Sequence, residues 1–413
     1  MIMEKKSKRE LNTEKSTIKV GLVVVISLLL LIPLAMVRGV IGERESTKDT
    51  VTKEVSESYA AAQTVYAPRL ESTMLVKLAT DSTDMVTERR IAKCEKLDYK
   101  AEVATDVLHR SIYDVIVYNS KIDVCGSFCV TGEMLRALNN RFKFDLSDFK
   151  GLTNQPQLSF GGNTYSITRQ NDELVADVKL PKGVKDGDTL EFVVSLDVKG
   201  TESLYFTPNA TETTLSISSK YPNPSFQGTF LPEYREVRAD GFDATWKVLD
   251  LNINYDYSTM GVKFVQLANP YQQAMRSAKY GMLIIVLVFV AGLFVEFLTK
   301  KNINPIQYAV IGLSLVLFYS LLLAFSEFVT FGLSYVIAAS MTTCALMLYF
   351  RGILKSRSAY LLGGFVALVY ALNYMLLQME IYALLAGSLV LFLLLCVVMY
   401  LTTNINKGVV QDE

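Results

Sequence analysis

Residues able to do chemistry are few in this chain and poorly grouped. His109, between Leu108 and Arg110, is the only histidine, so a His-rich metal site is excluded, and no HExxH stands anywhere. A Ser-His-Asp triad would have to use His109, with no GxSxG to supply its nucleophile. Ser16-Thr17-Ile18-Lys19 fits SxxK, but it lies at the mouth of an apolar run, where topology accounts for the lysine. Gly161-Gly162 precedes Asn163 without the strand-to-helix setting of a phosphate-cradling loop. Asp186-Gly187-Asp188 lacks the further carboxylates of a calcium loop and reads as a turn. No catalytic residue, metal or cofactor is expected.

Three of the five cysteines, Cys94, Cys125 and Cys129, fall in the polar middle of the chain, and Cys344 and Cys396 fall in apolar runs. An oxidising compartment permits one disulfide among the first three. Cys125 and Cys129 could bridge only across a turn, because an extended chain would hold them about 13 Å apart. Near the membrane the groups to weigh are Glu296, Glu327, Glu380 and Asn373. An ionised group at mid-bilayer costs roughly 2.5 to 3.5 kcal/mol on insertion scales. Glu296 has Lys300 four residues on, which suggests an ion pair with a proton or ion relay as the rival role. Glu327 and Glu380 stand at helix ends within reach of water, and Asn373 is placed for an interhelical hydrogen bond.

The elements that must position these groups follow from hydropathy. The chain has 413 residues and a mean hydropathy of +0.28, which points to a membrane protein. Val20 to Val37 carries no charge, and its length of about 27 Å as a helix suits a bilayer, with Lys19 and Arg38 free to snorkel to either face. Five further spans are expected near 280–298, 306–325, 328–350, 358–378 and 380–401. Lys5, Lys6, Lys8, Arg9 and Lys15, then Lys300 and Lys301, then Arg351, Lys355 and Arg357 fall in alternate loops, while the remaining short loops hold no Lys or Arg.

By the positive-inside rule both termini are cytoplasmic. The expected plan is a basic N-terminus (1–18), a first helix (19–41), an extracytoplasmic domain (42–278), a five-helix bundle (279–402) and a cytoplasmic tail (403–413). Within the large insertion, period-two runs such as Leu190, Phe192, Val194, Leu196 and Val198 read as half-buried strands. Pro181-Lys182-Gly183 and Asp186-Gly187-Asp188 read as turns between them. The fold class is therefore an α+β membrane protein: six transmembrane helices with a β-rich, antiparallel, sandwich-like domain between the first two, and helix there confined to segments such as 47–62.

YPNPSFQGTFLPEYREV, residues 221–237, stands out within this domain. Its three prolines keep it from the middle of a sheet, so it reads as a shaped connection from a strand ending near Ser218 to one starting near Gly241. Phe226, Phe230 and Leu231 are available to cap the core. The other reading is a rigid aromatic platform for a ligand or partner, to which Tyr234 and Arg235 would contribute.

Four stretches carry a family resemblance: LLLIPLAMVRGVIGER (29–44), YPNPSFQGTFLPEYREV (221–237) with the GFDATWKV after it, YQQAMRSAKY (271–280) and NPIQYAVIGLSLVLFYSLLLAFSE (304–327). In these the chain resembles the CreD, or Cet, family of bacterial inner-membrane proteins. Two positions depart from the family pattern: Phe328 stands where a histidine commonly follows Ser-Glu, and YLTTNINK (400–407) replaces YLTRNIDW. The resemblance implies an inner-membrane protein with a periplasmic domain, linked to envelope stress, colicin tolerance and the β-lactam response, without established enzymatic activity.

The function expected is non-enzymatic support of the envelope, with the β-rich domain binding an envelope protein or cell-wall component. The partners expected are these and the lipid bilayer, and no nucleic acid. The alternative is a transporter or lipid-handling protein that uses the helix bundle through Glu296, Glu327 and Asn373. An enzyme acting on periplasmic polymers would need paired carboxylates, such as Glu233 and Glu236 with a partner across a groove.

Overall fold

The structure is a computed structural model that describes residues 18–77, 85–253, 258–266, 269–299 and 301–378, with isolated positions between 385 and 399. The basic segment 1–17, Lys300, Glu380, the tail 403–413 and nearly all of the expected span at 380–401 lie outside the described residues. The chain divides into two compact units, Met1–Thr47 with Ala268–Glu413, and Lys48–Leu267.

The first unit is helical. Helix α1 runs over Ile18–Ser58, with a single turn residue at Leu30, about 61 Å at 1.5 Å per residue. Separate helices at 19–41 and 47–62 are thus corrected to one helix that ends at Ser58. Its second half, from Glu43, is rich in Glu, Lys and Thr without proline, and Thr47 and Thr52 return their hydroxyls to the carbonyls of Glu43 and Lys48. Leu30, Leu34 and Ile41 are buried at helical spacing.

After the one-turn helix α2 (Gly132–Arg136) of the other unit, the helices are α3 (Pro270–Lys279), α4 (Gly281–Thr299), α5 (Pro305–Ser326), α6 (Phe331–Leu354) and α7 (Ser358–Gln378). Starts are set locally: Asn269 caps α3, while Asn304 and Gln307 form a capping box around Pro305 at the first turn of α5. Helices α1, α5, α6 and α7 are long and apolar enough to cross a membrane, and α3 with α4 up to Glu296, bent by 43°, makes a fifth candidate.

Among its described residues the second unit holds sixteen strands: β1 (Gln63–Val65), β2 (Arg69–Lys77), β3 (Met85–Arg110), β4 (Tyr113–Cys129), β5 (Asn139–Phe144), β6 (Gln157–Phe160), β7 (Asn163–Ser166), β8 (Thr168–Gln170), β9 (Glu173–Val178), β10 (Thr189–Thr201), β11 (Ser203–Phe206), β12 (Ala210–Ser219), β13 (Pro224–Gly228), β14 (Tyr234–Arg238), β15 (Gly241–Leu249) and β16 (Met260–Phe264). Four form a small sheet in the order β1-β11-β16-β13. Twelve form the large one, in the order β7-β6-β10-β4-β3-β2-β5-β9-β8, with β12, β15 and β14 branching from β3.

Both sheets contribute to one apolar core. Strand β10 alternates as its sequence requires, burying Leu190, Phe192, Val194, Leu196 and Val198. At the centre Phe128, Phe142, Phe160 and Phe192 interlock with ring centroids 5.1 to 6.5 Å apart. Pairing is not wholly antiparallel: β1 runs parallel to β11, and β12 parallel to β3. Each of these pairs joins strands far apart in the chain, so no hairpin dictates their direction. The turns at Gly183 and Gly187 both have φ of +88°, and Asp188 accepts from the Lys185 amide, so its carboxylate serves the turn itself.

Candidate functional site

The segment 221–237 contains two strands rather than a bare connection. β13 closes the small sheet against β16, and β14 pairs only with β15, so each is an edge strand. This reconciles the prolines with strand structure, because Pro224 opens β13 and Pro232 falls between the two strands. Gly228 is required where the chain leaves β13: its φ is +114°, and a Cβ there would lie 2.5 Å from the Thr259 carbonyl oxygen.

Phe226 stands edge-on to Phe242 and Trp246, at 5.6 and 5.8 Å. Trp246 is fully buried, and its indole N–H donates to the Phe230 carbonyl at 3.1 Å. Phe226 and Phe230 therefore seal the core, whereas Leu231 is 66% exposed and does not cap it as expected. Tyr234 and Arg235 point elsewhere. Both are exposed on β14, where Tyr234 donates its hydroxyl to Glu236 and Arg238 pairs with Glu236 and Asp243. The four residues do not converge.

Cys125 and Cys129 lie on the same strand, and Cys94 is buried with its thiol donating to the Pro68 carbonyl. All five cysteines are free. Burial pushes the Cys125 thiol up, helped by Asp98 and Asp123, so it is not a poised thiolate.

Beside Cys125 lies the feature that sequence reading missed. A trough of about 460 Å³ crosses β12, β3, β4 and β10, lined by Lys96, Asp98, Cys125, Ser127, Glu191 and Glu212 among others. These are polar alternates of the same strands whose other residues fill the core, and alternation alone marks them only as solvent-facing. Asp98 accepts from the Thr214 hydroxyl at 2.6 Å, and Glu212 pairs with Lys247 at 3.1 Å. Glu191 and Lys96 make no ion pair among the described residues, leaving one charge of each sign for a ligand. No group of three or more His, Cys, Asp or Glu suited to a metal occurs among the described residues.

The bundle residues are held by α1 and by their neighbours. Glu296 pairs with Lys19 of α1 and accepts from the Tyr308 hydroxyl at 3.3 Å. The structure thus supplies Lys19 as a partner of Glu296, while the expected Lys300 lies outside the described residues; Lys19 does not snorkel freely but also donates to Asn302. Arg38 donates to the Ala278 carbonyl at 2.7 and 3.1 Å and to the Lys279 carbonyl at 3.2 Å, at the point where α3 breaks into α4. A tethered guanidinium thus takes the position that a broken helix would offer to a cation. Glu327 lies 3.5 Å from Arg44 and its side chain is only 13% exposed, so it is paired rather than left in water. Asn373 is buried and donates to Ser277 at 3.1 Å and Tyr335 at 2.9 Å, linking α7 to α3 and α6.

Comparison with known proteins agrees along most of the chain. A model of the family described as inner membrane protein CreD matches residues 15–407. Inner membrane protein CreD of Escherichia coli (strain K12) is 28% identical over 409 residues, covering 92% of this chain and 91% of that protein. Among solved structures, an M1 zinc metallopeptidase of Deinococcus radiodurans aligns with 37% of this chain and 38% of its own at 11% identity and a TM-score of 0.20. A mutant form of that enzyme gives 12% identity and a TM-score of 0.22 over the same shares. Likeness at that level carries no argument about fold or chemistry.

Proposed function

The chain belongs to the CreD family of inner membrane proteins, and from that premise we propose that it supports cell-envelope integrity without catalysis. Its β-rich domain faces the periplasm and binds an envelope component or protein partner, and its helices hold that domain at the membrane. The trough beside Cys125 carries the reading: it is large enough for several residues of a peptide or a small polar polymer, and its Lys96 and Glu191 are uncommitted. The family resemblance adds the setting, a response to envelope stress, colicins and β-lactams.

Deleting the gene and measuring dye entry and sensitivity to β-lactam and detergent tests the role. Loss of barrier function is expected, restored by the native gene and not by one carrying K96E with E191K, provided that variant accumulates in the membrane to the native level. An intact barrier in the deletion strain under stress would retire the proposal. Full complementation by the variant would move the binding surface away from the trough.

A further inference from the structure

Helix α6, its following loop and α7 contain no carboxylate: between Glu327 and Glu380 there is no Asp or Glu, and the charges are Arg351, Lys355 and Arg357. All three fall within two turns, and all are exposed. None makes an ion pair or hydrogen bond through its side chain among the described residues. Lys301 joins them, donating its ammonium to the Leu354 carbonyl at the end of α6.

Two further observations separate this loop from a merely solvated basic turn. Lys355 has φ 42° and ψ 40°, a left-handed conformation that a helix end ordinarily gives to glycine or asparagine. Next to it, the Ser356 hydroxyl is screened from solvent yet has no hydrogen-bond partner among the described residues. The loop leads directly into the N-terminus of α7, a helix of 21 residues whose first turn attracts negative charge. Along the helices away from the charges lie Leu348, Tyr360 and Leu361, which are 69%, 49% and 73% exposed.

Three exposed cations and the start of a long helix thus lie beside exposed apolar side chains at the end of two candidate membrane-crossing helices. We propose that the α6–α7 loop binds the phosphate headgroup of an anionic phospholipid, with the acyl chains lying over Leu348, Tyr360 and Leu361. The apolar skirt selects a lipid over free phosphate, and charge selects an anionic lipid over a zwitterionic one. The site is separate from the trough, and neither reading depends on the other.

The test uses the full-length protein in detergent, titrated with phosphatidylglycerol or phosphatidylcholine of the same chain length, with bound lipid counted by native mass spectrometry. Each basic residue at a lipid surface contributes about fivefold in affinity, so phosphatidylglycerol should bind about a hundredfold tighter than phosphatidylcholine. R351Q/K355Q/R357Q should bring the two lipids level, and K355G should lose about fivefold in phosphatidylglycerol affinity without a lower thermal midpoint. Three results would overturn the proposal: equal binding of both lipids by the native protein, a preference retained by the triple variant, or displacement of the lipid by millimolar inorganic phosphate at matched ionic strength. A folded K355G with native affinity would remove Lys355 from the site.

Discussion

The Lys19–Glu296 pair gives the sharpest test of how α1 is held. Both side chains are mostly withdrawn from water, at 17% and 16% exposure. For unit charges about 4 Å apart at an effective dielectric near 20, the attraction is about 4 kcal/mol. Partial access to water reduces this, and removing one partner of a fully buried pair costs roughly 3 to 5 kcal/mol, so Lys19→Met should cost about 3 kcal/mol. Glu296→Gln should cost less, because its amide oxygen can still accept from Tyr308. The double variant should recover much of the loss, giving a coupling of about 2 kcal/mol where independent sites would add to within about 0.5 kcal/mol. Thermal unfolding of the four proteins in one detergent, followed by helical circular dichroism, measures the cycle. If Lys19 merely snorkelled to water, Lys19→Met would leave the midpoint unchanged and the two losses would add; either result refutes the latch.

Phe226→Ala should open the face of Trp246, the single tryptophan, and shift its emission to longer wavelength while destabilising the domain by about 2 kcal/mol. Gly312→Val should destabilise the bundle by roughly 1 to 3 kcal/mol in thermal unfolding, because a Cβ there would collide with Leu30 of α1. In the β-rich unit, hydrogen bonding to Lys143 holds the Glu173 carboxyl below the ordinary carboxylate range. Burial alone would pull the Lys143 ammonium down, but hydrogen bonds to Glu173 and Glu71 leave it raised. The Glu173 contribution is fully present above the unfolded carboxylate value of 4.5 and fades as pH falls through the lower folded one. The Lys143 contribution is present below 10.5 and fades as pH rises through the higher folded value. Urea unfolding against pH should therefore show a plateau between these limits, and Glu173→Gln should flatten its acid edge.

What could be read in advance was whatever local periodicity determines. Strand β10 and helix α5 follow directly from alternation and from the apolar run at 306–325, because both are written in consecutive residues. Partners distant in sequence were not legible. Lys19 meets Glu296 across 277 residues, and no local pattern distinguishes it from the neighbouring basic residues. The parallel pairing of β12 with β3 depends on a crossover from Arg110 to Ala210 that hydropathy does not describe. For the candidate site the limit is of a different kind. Alternation marks Asp98, Ser127, Glu191 and Glu212 as outward-facing, but a flat sheet and a concave one have the same alternation, and the hollow spans four strands whose pairing is not written locally.

The contacts of α1 have a consequence for its role. Lys19 and Arg38 are nineteen residues apart, about 28 Å along a helix, close to the thickness of the bilayer hydrocarbon. The first is tied to Glu296 and Asn302, the second to the carbonyls of Ala278 and Lys279. Between them, Leu34 sits over Gly281 and Leu30 over Gly312, where the absence of a Cβ lets the helices approach closely. A slide of α1 by one turn, about 5.4 Å, would break both polar contacts at once and move both leucines off their glycines. A helix serving only to anchor the chain in lipid would need none of these four matches, since any apolar stretch of the right length would do. Axial register is therefore specified at both ends of the apolar run as well as inside it, which makes α1 an integral member of the bundle.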